Sequence, residues 1–220
     1  MTVLEAFDVY RFFHTRESET LALRGVSLRL DEGELVALVG PSGSGKSTLL
    51  ACLAGLDEPD GGCVEMLGER LTRRPETERA RRRGANVGFL MQSGNLFSSL
   101  SVTDNVKLAT LLAGKSGNER ARTLLIQTGL ADRASAWPGQ LSGGELARAG
   151  LAVALAAAPR ILLADEPTGE VDAMTERSIL DVLNEQCRTG VAVLVATHSR
   201  ALAARADRII HLRDGKIDDA

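Results

Sequence analysis

An α/β fold built on a mainly parallel sheet is what this chain predicts, on three observations. Short, largely apolar runs, Leu35 to Val39, Arg160 to Leu163 and Val191 to Ala196, read as strands buried on both faces. They alternate with helix-length segments, Ser142 to Ala158 and Ala173 to Gln186, as βαβ units require. Val26 to Leu30 differs, with Val26, Leu28 and Leu30 set against Ser27 and Arg29. That period of two marks a half-exposed strand and predicts an N-terminal antiparallel layer beside the core sheet.

Taken in order, Asp31-Glu32-Gly33-Glu34 turns the outer strand into the buried one, and a glycine-rich loop leads on to a helix over Leu49 to Leu56. Asp57 to Gly62 is a turn cluster before a strand at Cys63 to Leu67, and Gly68 turns the chain again. Leu71 to Gly84 is polar and arginine-rich; Asn86 to Met91 is a short strand ending at Gln92. Val102 to Thr128 has helical spacing, carried by Val102, Val106, Ala109 and Leu112, then by Leu124, Leu125 and Thr128, with an interruption at Gly114 to Gly117. Helices lying between two sheet strands predict an inserted helical lobe over approximately residues 93–158, with Gly129 to Gln140 as the connection back. Ser142 opens the next helix as its cap and Pro159 ends it. Ile209 to Leu212 is the last strand, with Asp214-Gly215 as a hairpin-like turn.

A chain of 220 residues, 44% apolar and 25% charged, suits one domain with a sizeable core, here residues 1–220 with no internal repeat or linker. The net charge of −3 excludes a general attraction to nucleic acid or an acidic membrane. Three cysteines, Cys52, Cys63 and Cys187, lack metal-ligand spacing and are odd in number, so they read as reduced cytosolic thiols, Cys52 and Cys187 on helices. Three dispersed histidines argue against an all-protein zinc site. Met1 to Tyr10 carries Glu5 and Asp8 and lacks the basic start and apolar core of a secretory signal. No apolar run approaches the ~18–20 residues of a membrane-spanning helix, so the chain is not expected to cross a bilayer by itself.

The loop Gly40-Pro41-Ser42-Gly43-Ser44-Gly45-Lys46-Ser47-Thr48 lies between a strand and a helix, where a phosphate-cradling loop must. Its glycines let successive N–H groups curl around phosphates, Lys46 adds a charge at the β/γ end, Ser47 offers a hydroxyl to magnesium, and the helix aims its positive end at the same anion. This is the signature of a P-loop NTPase core. Asp165, just past a buried strand, is placed to hold the magnesium shell through water. Glu166 is placed to accept a proton from water aimed at the γ-phosphate. His198 follows the next strand and reads either as a γ-phosphate sensor or as a structural histidine. Tyr10-Arg11-Phe12-Phe13 reads either as simple packing or as an aromatic platform.

Leu141-Ser142-Gly143-Gly144-Glu145, lying one helix before the strand that ends at Asp165, resembles the signature of ATP-binding-cassette ATPases. Gln92, Gly169-Glu170-Val171-Asp172 and His198 match that family's further motifs, and the resemblance runs from about Val3 to Ile217. It implies ATP and Mg2+ as cofactors, with Glu166, His198, Lys46 and Gln92 in catalysis and Ser47, Gln92 and Asp165 around the metal. It also implies a head-to-tail dimer, formed with a second copy or a related ATPase. Each ATP then lies between one phosphate loop and the opposite Ser142, Gly143 and Gly144, with Asp172 supporting the partner's site. Phe13 fits best as the adenine platform by its distance from Leu23 and Gly40, with Phe12 and Tyr10 as alternatives. Two departures stand out: Leu146-Ala147 follows Glu145 where the family usually has a glutamine pair, and Glu170 adds a carboxylate.

Asn86 to Gln92, Leu96 to Val106 and Asp165 to Gly169 are most similar to the subgroup serving lipoprotein release, macrolide-type export and division-associated permeases. That implies an integral-membrane permease partner with an extracytoplasmic domain, and a cytoplasmic ATPase held on the inner face of the membrane through it. Leu96-Phe97 reads either as lining a groove for a permease coupling helix or as a core contact of the helical lobe. The arginines between Arg70 and Arg83 read as a solvent-facing helix balanced by Glu69, Glu76 and Glu78, against contact with anionic headgroups or an acidic permease loop. No aromatic residue interleaves them, so no direct nucleic-acid contact is expected. The rival readings are a soluble cassette ATPase in iron–sulfur assembly or on nucleic acid or ribosomes, and a non-catalytic ATP-dependent scaffold.

Overall fold

The computed structural model describes residues 1–14, 19–115, 118–169 and 171–218, and for His14 the backbone. A four-stranded antiparallel sheet, in the order β2-β1-β4-β5, consists of β1 (Thr2–His14), β2 (Glu19–Asp31), β4 (Gly61–Met66) and β5 (Glu69–Arg70). The six-stranded second sheet, in the order β10-β9-β3-β8-β7-β6, contains β3 (Leu35–Val39), β6 (Val87–Leu90), β7 (Ile161–Asp165), β8 (Ala192–Ala196), β9 (Arg208–Arg213) and β10 (Lys216–Ile217). Its strands run parallel except β10, which pairs antiparallel with β9. The predicted antiparallel layer and mainly parallel core are both present.

The parallel sheet separates two apolar clusters. Along β3, Val36 and Leu38 enter the cluster shared with the antiparallel sheet and α1 (Lys46–Leu53), while Leu35 and Ala37 enter the other. The second cluster takes residues from α3 (Val102–Leu112), α4 (Asn118–Gln127), α5 (Gly143–Leu155) and α6 (Ala173–Arg188). Burial on both faces is why these strands are continuous apolar runs.

Several boundaries differ from the sequence expectation. The first helix begins at Lys46, inside the glycine-rich loop, and α5 ends at Leu155 rather than Ala158. Ala158 adopts φ 48, and this left-handed residue turns the chain before Pro159 does. Part of the expected interruption at Gly114 to Gly117 lies outside the described residues.

The arginine-rich segment becomes α2 (Glu76–Asn86), with no buried residue. Arg79 pairs with Glu58 and Glu76, Arg82 with Glu69 and Glu78, and Arg83 with Glu76 and the Gly55 carbonyl. The charge balance by Glu69, Glu76 and Glu78 is as expected, but these three arginine side chains are only 15–20% exposed because they fold back onto the glutamates, Glu58 and the Gly55 carbonyl. Among the cysteines, Cys52 lies on α1 and Cys187 on α6, and burial pushes each thiol up to about 12, keeping it protonated. All three are free thiols.

Gly88 fixes how closely α5 approaches the sheet. A Cβ there would stand 2.3 Å from the Ala154 carbonyl oxygen, so backbone meets backbone. Gly88→Ala is therefore expected to destabilise the fold by roughly 1–3 kcal/mol, read as a lower urea midpoint with the slope unchanged.

Candidate active site

A cleft of about 690 Å³ opens at the carboxyl ends of β3, β7 and β8, within the ~300–1,000 Å³ typical of small-molecule sites. Lys46, Ser47, Gln92, Asp165, Glu166 and His198 all line it, so elements distant in sequence bring the predicted groups to one place. The glycine-rich loop joins β3 to α1, with Gly43 at φ 78 and Gly45 at φ 105. At Gly40 a Cβ would sit 2.0 Å from the Leu212 carbonyl oxygen, so the loop packs against β9 only without a side chain there. Lys46 is 7% exposed; its Nζ donates to the Gly40 and Pro41 carbonyls at 2.8 and 3.2 Å. Among the described residues, the buried Ser44 Oγ has no hydrogen-bond partner. A buried cation and an orphaned hydroxyl under an N–H-rich loop suit an anionic ligand.

Glu166 occupies φ 48, unusual for a non-glycine residue. Its N–H donates to the Ala196 carbonyl at 2.9 Å and its carbonyl accepts from Gly169 N–H at 3.2 Å, which holds the turn. The Oε2 accepts from His198 N–H at 3.2 Å. The other oxygen, Oε1, lies 3.2 Å from His198 Nε2, near enough for an ion pair but not aligned as a hydrogen bond. That same Nε2 is 3.3 Å from Lys46 Nζ. Lysine, histidine and glutamate thus converge on one point of the cleft. Among the described residues, no three His, Cys, Asp or Glu side chains gather as a metal-binding group. One carboxylate, Asp165, with the Ser47 hydroxyl and the Gln92 amide suits instead a hard cation that shares phosphate oxygens.

Of the aromatic candidates, Phe13 lines the cleft and is 40% exposed. Arg11 fixes the strand beneath it, with Nε and NH2 on Asp57 at 2.8 and 2.9 Å and NH1 on Asp60 at 3.0 Å. The same guanidinium lies 4.8 Å from the centre of the Phe13 ring. Tyr10 instead lies between glycines of the two strands that flank β1, where Cβ atoms on Gly61 and Gly25 would meet its ring and hydroxyl at 3.2 and 2.8 Å. Neither Tyr10 nor Phe12 lines the cleft.

Ser142, Gly143 and Gly144 do not line it either. Ser142 caps α5: its Oγ accepts from Glu145 N–H at 3.2 Å and its N–H donates to Glu145 Oε2 at 2.8 Å. Ser142 and Gly143 are exposed, leaving that helix end facing outward.

The profile of a family described as "ABC transporter" matches residues 23–169. The chain belongs to the ABC transporter family. It is an ATP-binding ATPase, and its homologues carry the names of macrolide-export and lipoprotein-release systems. It is 42% identical over 220 residues to the "Lipoprotein-releasing system ATP-binding protein LolD 2" of Caulobacter vibrioides, covering 98% of this chain and 96% of the relative. It is 44% identical over 217 residues to the "Macrolide export ATP-binding/permease protein MacB" of Chlorobium luteolum, covering 98% of this chain but only 33% of that protein. The chain thus spans about a third of the MacB relative. Among solved structures, the dimeric post-hydrolysis state of the ATP-binding cassette MJ0796 bound to ADP and Pi superposes with a TM-score of 0.92. Identity there is 34%, over 98% of this chain and 96% of that one.

Within this ABC ATPase, Asp172 has a task inside its own chain. Its carboxylate caps α6, with Oδ1 accepting from Met174 and Thr175 N–H at 2.9 and 3.0 Å and Oδ2 accepting from Thr175 Oγ1 at 2.8 Å. The Thr175 N–H, foremost among these bonds, holds the carboxyl below its ordinary range. Thr175 in turn touches the helix end at Gly144, where a Cβ would meet its Oγ1 at 2.8 Å. Glu170, the added carboxylate, lies outside the described residues.

Sequence reasoning missed part of the cleft wall. Thr20, Leu21, Ala22 and Arg24 from β2 line it, as do Asp214 and Gly215, which had been read only as a turn. Arg24 N–H donates to the Gly215 carbonyl at 2.8 Å, and a Cβ on Gly215 would meet Ala22 O at 2.6 Å. Gly215 adopts φ 75, and the Asp214-Gly215 pair in the sequence signals such a turn but not its place in the cleft wall.

Proposed function

We propose that this ATPase works as a head-to-tail pair in which each ATP is held between one copy's phosphate loop and the other copy's Ser142, Gly143 and Gly144. The observation that carries this reading is the separation of two anion-suited surfaces: the cleft around Lys46, and the exposed start of α5 outside it. One copy leaves the second surface without a phosphate of its own. Two stacked copies complete both, and the relative described as a dimer supports that arrangement.

Gly40 to Thr48 cradle the phosphates through backbone N–H groups, with Lys46 at the γ end and Phe13 beneath the base. Ser47, Gln92 and Asp165 would hold Mg2+, which would supply positive charge to offset that of the phosphates. Glu166 takes the proton of the attacking water, and His198, fixed by its N–H bond to Glu166, steadies the γ-phosphate. Asp172 supports the shared site by holding the α6 start, and Thr175 with it, under Gly144. ATP closes the pair and hydrolysis opens it. Residues 1–220 act as one ATPase unit whose helical lobe spans approximately residues 93–158.

The cycle drives an integral-membrane permease with an extracytoplasmic domain, which holds the ATPase on the cytoplasmic face. A groove lined by Met91, Gln92, Leu96, Leu146 and Ala147 lies between the helical lobe and the catalytic turn, where a permease helix would sense both. Phe97, 63% exposed, stands beside it on a loop pinned by the buried Asn105, whose Oδ1 accepts from Phe97 N–H at 2.7 Å. The names of the LolD and MacB relatives favour export or lipoprotein release. Affinity isolation from membranes in gentle detergent is expected to recover one permease, and Phe97→Asp to lose it without losing ATP binding. Recovery of ribosomes, DNA or iron–sulfur assembly proteins instead would remove the transport reading.

A further inference from the structure

Glu145 puts a full negative charge in the first turn of α5, beside the N–H groups assigned above to a partner's triphosphate. A carboxylate stabilises a helix start but repels an anion brought to the same place. A glutamine closes the same capping box without the charge. The acidic residue therefore needs neutralising if Ser142 to Gly144 are to receive phosphate.

Arg133 meets that need. Its Nε donates to Glu145 Oε1 at 2.8 Å, and NH2 lies 3.5 Å from Oε2, a fork on the same carboxylate that accepts from Ser142 N–H. Glu145 is 18% exposed and Arg133 48%, so the pair sits at the surface with the acid on its inner side. The arginine's backbone is rigidly held. It ends the 3-10 turn Ala131–Arg133, its carbonyl accepts from Ala136 N–H at 2.9 Å, and the next turn is tied to the start of α3 by Val102 N–H on Ala136 O and Thr103 Oγ1 on Ala134 O. The Arg133 hydrogen bond, with Ser142 N–H second, holds the Glu145 carboxyl down at about 2. The acid is thus ionised throughout the physiological range, and its neutralisation is by pairing and not by protonation.

We propose that Arg133 is a positioning residue of the ATP-sandwich interface. It cancels the Glu145 charge and steers that carboxylate onto Ser142 N–H, so an acidic signature still presents a positive helix end to the partner's γ-phosphate. The inference rests on the two-copy reading above, and the experiment separates failure of either.

In a Glu166→Gln background, which slows hydrolysis, ATP is titrated and dimer formation followed by sedimentation velocity at low and high salt. Arg133→Gln is expected to raise the ATP concentration for half-dimerisation by roughly 10-fold at low salt and less at high salt, because screening weakens the exposed repulsion. Arg133→Lys should lie near the parent, and adding Glu145→Gln to Arg133→Gln should restore dimerisation. A merely structural arginine would not be rescued by removing its partner's charge. Monomer binding of a fluorescent ATP analogue should be the same in all variants, since neither residue lines the phosphate cleft. Dimerisation of Arg133→Gln at parental ATP, or no rescue in the double variant, overturns the proposal. If Ser142→Arg dimerises like the parent as well, the two-copy reading itself has failed; if Ser142→Arg blocks dimerisation while Arg133→Gln is neutral, only the role of Arg133 has.

Discussion

Glu166→Gln is expected to lower ATP turnover by about 10²–10⁴-fold, the usual contribution of a positioned general base, while ATP affinity is kept and an ATP-loaded dimer accumulates. Glutamine has the same shape, so its amide oxygen still accepts from His198 N–H and the φ 48 turn remains tied to Ala196. What it cannot do is take a proton at the point where Glu166, His198 and Lys46 converge. The carboxylate is 14% exposed, so replacing it also removes a poorly screened negative charge near the triphosphate, which favours the closed pair. Single-turnover hydrolysis and sedimentation velocity read the two effects separately. Parental turnover with an unchanged melting curve would show that another group takes the proton.

The parts of this molecule legible in its sequence are those where one local rule acts alone. β3 is an unbroken apolar run because both its faces are buried, and α5 announces its start through the Ser142 cap. β1 was not legible as a strand, although it runs thirteen residues. Asp8 at φ 45 breaks its alternation: Leu4 and Ala6 point inward, then Val9, one residue out of phase, and the pairing with β2 shifts between Ala6 and Val9. The phosphate-loop residues, Asp165, Glu166 and His198 were readable because short-range motifs carry them to strand ends. The cleft wall from β2 and the Arg133–Glu145 pair were not, because they depend on which distant turns the fold brings together. No spacing rule links Arg133 to Glu145; a 3-10 turn and its ties to α3 do.

Ser142→Arg is expected to abolish ATP-driven dimerisation and lower hydrolysis by roughly 10²-fold or more, the scale on which losing transition-state donors acts, while monomer ATP binding persists. The substitution removes the Oγ that accepts Glu145 N–H, and a lost helix cap costs about 0.5–2 kcal/mol. That is too little to unfold α5, which is anchored by the fully buried Ala149, Leu151, Ala152 and Leu155. Ser142 is exposed and outside the cleft, so the arginine disturbs no group that one copy uses for its own phosphates. Its length instead fills the space before the helix end, where in the proposed pair a partner's γ-phosphate would come to within hydrogen-bond reach. Ser142→Ala separates the two consequences, since it loses the cap without adding bulk. It should melt as low as Ser142→Arg yet still dimerise at higher ATP. Should Ser142→Arg instead dimerise and hydrolyse like the parent, each copy must complete its site alone. The exposed start of α5 would then have no part in the chemistry.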